Sequence, residues 1–384
     1  MSIRILHVTD AASAGVLAAV TALARAQSET GARVTFAYVP RVDSPPLAAI
    51  QELTGDQVVV RRWSRSHRTA VPALAMRLGV ALVGHRYQVV HLHSSRTGMI
   101  GRALAAVTGN RGRTVYSPHC FAFDRTDLDG VRRAVFTGLE RLGTWLGPRL
   151  VLVSETEQEL ARRVLPRSRT AVLGNRVDVT ALARMAEAAR DRGGEASGTA
   201  PSPEDGTGSS TGPLSIVHVG RIAAQKRPGE FAALARERAG KDLRFRWLGD
   251  GDRSQLGPEV EVTGWLDRAH LHEELARADL MLFTSAGEGM PVSVLEAQAM
   301  GIPVVAHRVT GLADVVLDGA TGLLRPDTAS LGRALDELTT DPARRRGMGR
   351  AARVHMQKNH DLADLAADSF AAYRALGIIE KGLT

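Results

Sequence analysis

Along the first half of the chain, short β-branched runs alternate with longer stretches of helical spacing. IRILHV, VTFAYV, VVHLHS, TVYSP and LVLVS read as strands. VLAAVTALARAQSE, GMIGRALAAV and GVRRAVFTGLERLGTWLG read as helices between them. Such alternation predicts a parallel sheet with helices on both faces. The pattern breaks over 188–213, where AARDRGGEASGTAPSPEDGTGSSTGP holds too little apolar surface to offset the entropy of ordering. A flexible linker is expected there. Alternation restarts with LSIVHVG, LRFRWLG, VEVTGW, LMLFTS and PVVAH as strands, and LADLAADSFAAYRAL closes the chain as a helix. The expected architecture is α/β, with two doubly wound Rossmann-like domains facing each other across a cleft. Residues 1–187 form the first, 188–213 the linker and 214–362 the second, and 363–384 cross back to brace the first. Sheets of this kind bind ligands at the carboxyl ends of their strands.

Composition narrows the picture. Hydrophobic residues make up 44% of the 384, enough for two packed cores. One cysteine, Cys120, excludes an internal disulfide framework and fits a reducing cytosol. The opening MSIRILHVTD reads as a first strand and not as a signal peptide, and no run of about 18 apolar residues occurs. The net charge of +8 is uneven: residues 1–180 hold 24 Arg, no Lys and 13 acids, giving +11, and the remainder carries −3. With aromatics at 4% and no reading motif, nucleic acid is not expected. An anionic membrane surface is the expected partner of the basic half. The stretch RRWSRSHRTAVPALAMRLGVAL reads either as a solvated helix over the sheet or as a basic amphipathic surface for anionic lipid.

Two local patterns carry chemistry. After the strand LMLFTS, the loop Glu288-Gly289-Met290-Pro291 leads into a helix from about Val292, with Glu296 in its early turns. Proline is favourable near a helix start, and the free amides there suit a diphosphate. Glu288 is placed beside a sugar, and Glu296 faces two vicinal hydroxyls. After the strand SIVHVG come Gly220-Arg221 and then Lys226, two cations able to neutralise a leaving nucleoside diphosphate.

On these residues the chain resembles the retaining glycosyltransferases of family 4, which have the GT-B fold. The E-x(7)-E pair Glu288 and Glu296 and the G-R-x(4)-K run Gly220 to Lys226 carry the likeness. LGDGD, VEVTGW before LDRAHLHEELARAD, and TGLL at 321–324 add to it. In the first half, VVHLHSSRTGMIGRALA and YSPHCFAF look like enzymes of bacterial capsular or extracellular polysaccharide assembly. The resemblance implies that Arg221 and Lys226 hold the donor diphosphate, Glu296 the ribose and Glu288 the donor sugar. The amides of Gly289, Met290, Pro291 and Val292 are implied at the sugar and phosphates (Pro291 by position, since it has no N–H). The base would lie near Val262 and Thr263, with Gly249 permitting close approach. His119 falls beside the sugar and phosphate as a catalytic residue with Glu288, and Gly15 approaches the diphosphate from the other domain. Three positions depart from the family: Ala14-Gly15 stands for two glycines, Cys120 for a glycine after the histidine, and Asn175-Arg176-Val177-Asp178 for Asn-Gly-Val-Asp.

Other candidates read more plainly. Asp250-Gly251-Asp252 looks like a metal-binding D-x-D motif, but its place after RFRWLG indicates a turn. His91 and His93 alternate on one strand and line a core or cleft, since two histidines at that spacing without acids make a poor zinc site. Cys120 reads as a packing residue. No metal and no cofactor are expected. The implied enzyme is a hexosyl or N-acetylhexosaminyl transferase of cell-surface glycan assembly. It would be cytoplasmic, peripheral at the inner face of the membrane, with a UDP-sugar favoured as donor and a lipid-linked or glycan acceptor. The rivals are a transferase acting on a soluble small molecule and a catalytically silent nucleotide-sugar-binding subunit.

Overall fold

A computed structural model describes residues 2–64, 66, 69–196 and 212–380. The strands are β1 Arg4–Thr9, β2 Arg33–Tyr38, β3 Val59–Arg62, β4 Val89–His93, β5 Thr114–Ser117, β6 Arg149–Leu152, β7 Arg169–Val172, β8 Leu214–Val219, β9 Leu243–Leu248, β10 Val260–Val262, β11 Leu280–Phe283, β12 Val304–His307 and β13 Gly322–Arg325. The helices are α1 Ala14–Glu29, α2 Leu47–Thr54, α3 Ala70–Val83, α4 Ser95–Val107, α5 Gly130–Leu146, α6 Glu155–Val164, α7 Val179–Ala196, α8 Pro228–Arg236, α9 Arg268–Ala276, α10 Val292–Ala299, α11 Thr328–Thr340, α12 Pro342–Asn359 and α13 Leu365–Ala375.

The strands form two sheets, ordered β3-β2-β1-β4-β5-β6-β7 and β10-β9-β8-β11-β12-β13. Every pairing between these strands is parallel. Both orders reverse direction beside their first strand, β1/β4 in one sheet and β8/β11 in the other. These switch points are where doubly wound sheets open a crevice. Central strands such as β4 and β11 are buried along their whole length, as expected for sheets covered on both faces.

The chain divides into two compact units. The first comprises Met1–Arg176, Gly287–Val292 and Leu362–Thr384, and the second Val177–Ala286 and Ser293–Asp361. The crossing therefore falls at Arg176–Val177, before the 188–213 segment where the sequence places it. The reason lies in α7, which packs with the second unit. Arg190 donates to the Met300 carbonyl at 3.1 Å, and Glu187 pairs with Arg353 at 2.5 Å. α7 also continues through Ala196, past the expected start of the linker, because Ala, Arg and Glu there favour helix enough to carry two glycines. The rest of the expected linker, 197–211, lies outside the described residues. In the first unit α13 packs on α1, burying Phe370, Tyr373 and Leu376 with Leu17, Val20 and Ala24.

The Arg-rich stretch 61–82 is also more divided than a single helix. Arg61 and Arg62 end edge strand β3, α3 begins at Ala70, and Arg65, His67 and Arg68 lie outside the described residues.

Candidate functional site

In the first unit, β1, β4 and β5 bring a row of histidines to their carboxyl ends. His7, His91 and His93 are fully buried, and His119 is half-buried just beyond β5. His93 Nδ1 lies 2.9 Å from His119 Nε2, and His93 Nε2 lies 3.0 Å from His7 Nδ1. His7 Nε2 then lies 2.8 Å from Gln27 Oε1.

Two serines determine how the protons are arranged. Ser369 gives its hydroxyl proton to the Ala366 carbonyl at 2.7 Å, so it accepts from Gln27 Nε2 at 2.9 Å. The other Gln27 amide proton goes to the Tyr373 oxygen at 3.2 Å, which leaves Oε1 to accept from His7 Nε2. His7 Nδ1 then accepts from His93 Nε2, and His93 Nδ1 accepts from His119 Nε2. The side branch agrees. Ser117 donates to the Val151 carbonyl at 2.5 Å and accepts from His91 Nε2 at 2.8 Å, so His91 Nδ1 accepts from Tyr373 at 3.0 Å. Every imidazole is neutral in this scheme. Burial accordingly pushes His7 and His119 down to about 4 and holds His91 and His93 well below the usual range. The last member, His119, presents Nδ1 as a lone-pair acceptor beside a small cavity lined also by His91, His93, Ser117, Gly174 and Asn175.

His7, His91 and His93 also gather ligand atoms within 4.8 Å of one another. All six of their ring nitrogens already hold protein partners in the scheme above, so a metal there would have to break that network.

His119 and Cys120 both carry positive φ, 59° and 130°, in a backbone conformation that side chains resist. The Gly289 Cα closes on this turn: a Cβ there would stand 2.7 Å from the His119 carbonyl carbon and oxygen. Asn175 holds the same loop, donating from Nδ2 to the Met290 carbonyl at 2.7 Å, with its N–H 3.2 Å from Met290 Sδ. Glu288 is buried, as are Met290, Pro291 and Val292. Burial, followed by the charge of Glu288, pushes the Cys120 thiol well up, which removes it as a nucleophile. Gly15 lies in the first turn of α1, where a Cβ would meet nothing within 4 Å. Ala14 before it has φ 47°, the conformation for which glycine is the ordinary choice.

The second unit collects the remaining candidates at the carboxyl ends of β8, β9 and β10. Gly220 (φ 145°) and Gly249 (φ 143°) cross so closely that a Cβ on Gly249 would stand 2.2 Å from the Gly220 oxygen. Gly249 therefore serves strand-end packing, and its expected role beside a base is not what requires glycine. Its N–H donates to Thr263 Oγ1 at 3.2 Å, and Val262 pairs with Trp247 across β9 and β10. Lys226 ends a 3₁₀ turn, Ala224–Lys226, with Nζ 4.8 Å from the Phe283 ring centre. Thr284 Oγ1 ties the same turn to the end of β11, donating to the Lys226 carbonyl at 2.7 Å. Arg221 is exposed one residue beyond Gly220.

Glu296, buried on α10, is held by two side chains of α9: His272 Nε2 at 2.9 Å and Arg268 Nη2 at 3.4 Å, both on Oε1. Sequence reasoning missed these two partners, along with Gln27, His7 and Tyr373. It singled out Asp250 and Asp252 as a turn, and each closes one: Asp250 pairs with Arg253 at 2.8 and 2.9 Å, and Asp252 caps Ser254 N at 3.0 Å.

Residues 14–181 match the family described as Glycosyltransferase Family 4, and residues 213–341 match Glycosyl transferases group 1. A curated relative from Klebsiella pneumoniae, "Uncharacterized 41.2 kDa protein in cps region", is 25% identical over 62% of this chain and 65% of its own. The Escherichia coli "UDP-Gal:alpha-D-GlcNAc-diphosphoundecaprenol alpha-1,3-galactosyltransferase" is 27% identical over 67% of each chain. The match thus spans about two thirds of these relatives' length. A solved sucrose-phosphate synthase from Thermosynechococcus elongatus has the same fold, with TM-score 0.76 and 18% identity over 97% of this chain and 99% of that one.

Proposed function

From the premise that this chain belongs to the glycosyltransferases of the GT-B fold, a family 4 domain followed by a group 1 domain, we propose that it transfers a hexose or N-acetylhexosamine from a nucleotide diphosphate sugar with retention of configuration. The cationic turn at the second sheet's switch point carries this reading. There Lys226 is anchored beside Gly220 through the bond from Thr284, with Arg221 at the strand end. A leaving diphosphate needs that charge most in the transition state, where fixed cations act without reorganising. Glu296, held on Oε1, keeps Oε2 for the ribose hydroxyls. Glu288 orients the sugar, and His119 Nδ1 accepts a proton from one of its hydroxyls.

In the step itself the bond from the anomeric carbon to the diphosphate oxygen breaks, and the acceptor oxygen bonds to that carbon on the same face. The acceptor proton passes to the departing phosphate. No metal or cofactor takes part in this scheme. UDP is the favoured nucleotide and a lipid-linked or polysaccharide acceptor the favoured partner; the name of the Escherichia coli relative gives a UDP-sugar and a diphosphoundecaprenol-linked acceptor for that protein. The reading places the enzyme in the cytoplasm at the inner face of the membrane, on an anionic surface met by the basic first half. Among the described residues no helix is long and apolar enough to cross a membrane.

The test is nucleoside diphosphate release from UDP-, GDP- and ADP-sugars, with EDTA and with Glu288→Ala and Lys226→Ala. Release from one donor that survives EDTA and falls by roughly 10²–10³ without Lys226 is expected. Silence with every donor, even with membrane extract as acceptor, would replace the enzyme by a nucleotide-sugar-binding subunit.

A further inference from the structure

Helix α5 is packed with its polarity reversed. Its buried residues are Glu140, Gly143 and Thr144. Glu140 pairs with Arg102 at 2.9 Å and accepts from the Tyr116 hydroxyl at 2.9 Å. A Cβ on Gly143 would stand 2.3 Å from the Arg102 guanidinium, so the charged group and the helix backbone are in close contact. The apolar residues point the other way. Val131 is 76% exposed, Val135 56%, Leu142 53% and Trp145 60%, with Phe136 and Leu139 also exposed. At roughly 100° per residue, Val131, Val135, Leu142 and Trp145 fall on one stripe opposite Glu140. Six of the seventeen large apolar side chains exposed among the described residues sit on this one helix. Scattered exposure is ordinary, but a contiguous stripe marks a surface that something covers.

The borders of the stripe identify its occupant. Arg132 and Arg141 flank it on opposite sides, and Arg167 lies 3.6 Å over the Trp145 ring. The helix's one acid, Glu140, is turned inward and paired with Arg102. An apolar stripe edged by arginine, with an indole among its side chains, suits the boundary between acyl chains and anionic headgroups. A second copy of the chain is a poorer fit, because a two-fold contact through this stripe would crowd arginine against arginine.

We propose that α5 is the membrane-docking element of this protein, lying in the plane of an anionic lipid surface with Val131, Val135, Leu142 and Trp145 inserted. The inference rests on the reading of a lipid-linked acceptor and sharpens it, because it moves docking from the Arg-rich stretch 61–82 to α5. Contact through α5 would hold the first domain against the surface from which such an acceptor is presented.

Flotation of the full chain with phosphatidylcholine vesicles, with and without about one third phosphatidylglycerol, tests it. The expected result is co-flotation with the anionic vesicles at low salt, and a drop of at least about tenfold in Val135→Glu/Leu142→Glu. Both positions face outward, so nucleoside diphosphate release should be unchanged and should report an intact fold. Met76→Glu/Val80→Glu, on exposed positions of α3, should still float. If only the α3 variant loses binding, α5 is not the docking element while the membrane reading stands. If the unmodified protein floats with neither vesicle, both fall. If it sediments as a dimer that Val135→Glu/Leu142→Glu dissociates, the occupant is a second copy and the proposal is overturned.

Discussion

His119 donates its Nε2 proton to Nδ1 of His93 across 2.9 Å. This bond gives His119 a polarity that no residue near it in sequence determines. The direction is inherited from Gln27, whose amide is oriented by Ser369 and Tyr373 on the C-terminal helix α13. Gln27, Ser369 and Tyr373 are therefore positioning residues for His119. Gln27→Met removes the acceptor that His7 Nε2 needs. A buried N–H without a partner costs more than a bare ring nitrogen, so the chain should reverse and leave His119 with a proton on Nδ1. Nitrogen-15 NMR of the imidazoles should show Nε2–H at His119 in the parent and Nδ1–H in the variant. Donor KM should rise roughly fivefold to tenfold, the value of one neutral hydrogen bond turned from acceptor to donor. An unchanged tautomer in Gln27→Met would refute the relay.

Acid should destabilise the first domain well above the carboxylate range. His7 and His119 titrate near 4 when folded and near 6.5 when unfolded, with burial as the leading cause for both. Between those values the unfolded chain binds more protons than the native one, so stability rises with pH. The contribution is complete above about 6.5 and is lost as the pH falls toward 4, on the order of 3 kcal/mol for His7 taken alone. Calorimetry should record a Tm that declines steadily from pH 7 to pH 4.5. A flat Tm over that span would mean that these rings are not held neutral.

What could be read from the sequence divides by the distance over which a signal acts. The strand alternation and the Gly220–Lys226 and Glu288–Glu296 patterns lie within single strand–loop–helix units, so local spacing exposes them. The histidine relay does not: His93 and His119 are 26 positions apart, and Gln27 and Tyr373 are 346. Those meetings depend on strand order and on α13 returning to α1. In the sequence Asn175 shows only as the start of the Asn175-Arg176-Val177-Asp178 run, yet its side chain holds Met290, 115 positions away. On α5 the amphipathic spacing is plain, but which side faces out depends on Arg102 and Tyr116 offering Glu140 a buried partner. Edge strand β3 escaped because its two arginines are exposed and look like part of the basic helix that follows.

Cys120 occupies a backbone position with φ 130°, where its side chain is strained. Cys120→Gly should relieve about 1–2 kcal/mol of strain and return part of it through the entropy of the unfolded glycine. A net gain of about 1 kcal/mol in urea unfolding is expected. Because the thiol is kept protonated by burial, activity should not depend on it. A net loss of stability would mean that the packing of Sγ, which points at the Phe121 carbonyl at 3.7 Å, outweighs the strain.

Gly15 and Gly249 were both expected to leave room for the donor, and the structure separates them. A methyl group at Gly249 would collide with the Gly220 oxygen at 2.2 Å, and φ 143° forbids it independently. Gly249→Ala should therefore damage the second domain itself, lowering Tm by several degrees whether or not ligand is present. At Gly15 the same methyl meets nothing within 4 Å and the helix conformation accepts alanine readily. Gly15→Ala should fold with unchanged or slightly higher Tm. If the diphosphate approaches that backbone, the methyl will intrude on the ligand alone, and donor KM should rise while the fold is intact. Thermal melts paired with donor titrations separate the cases. A Gly15→Ala enzyme with parental KM would place the diphosphate away from α1.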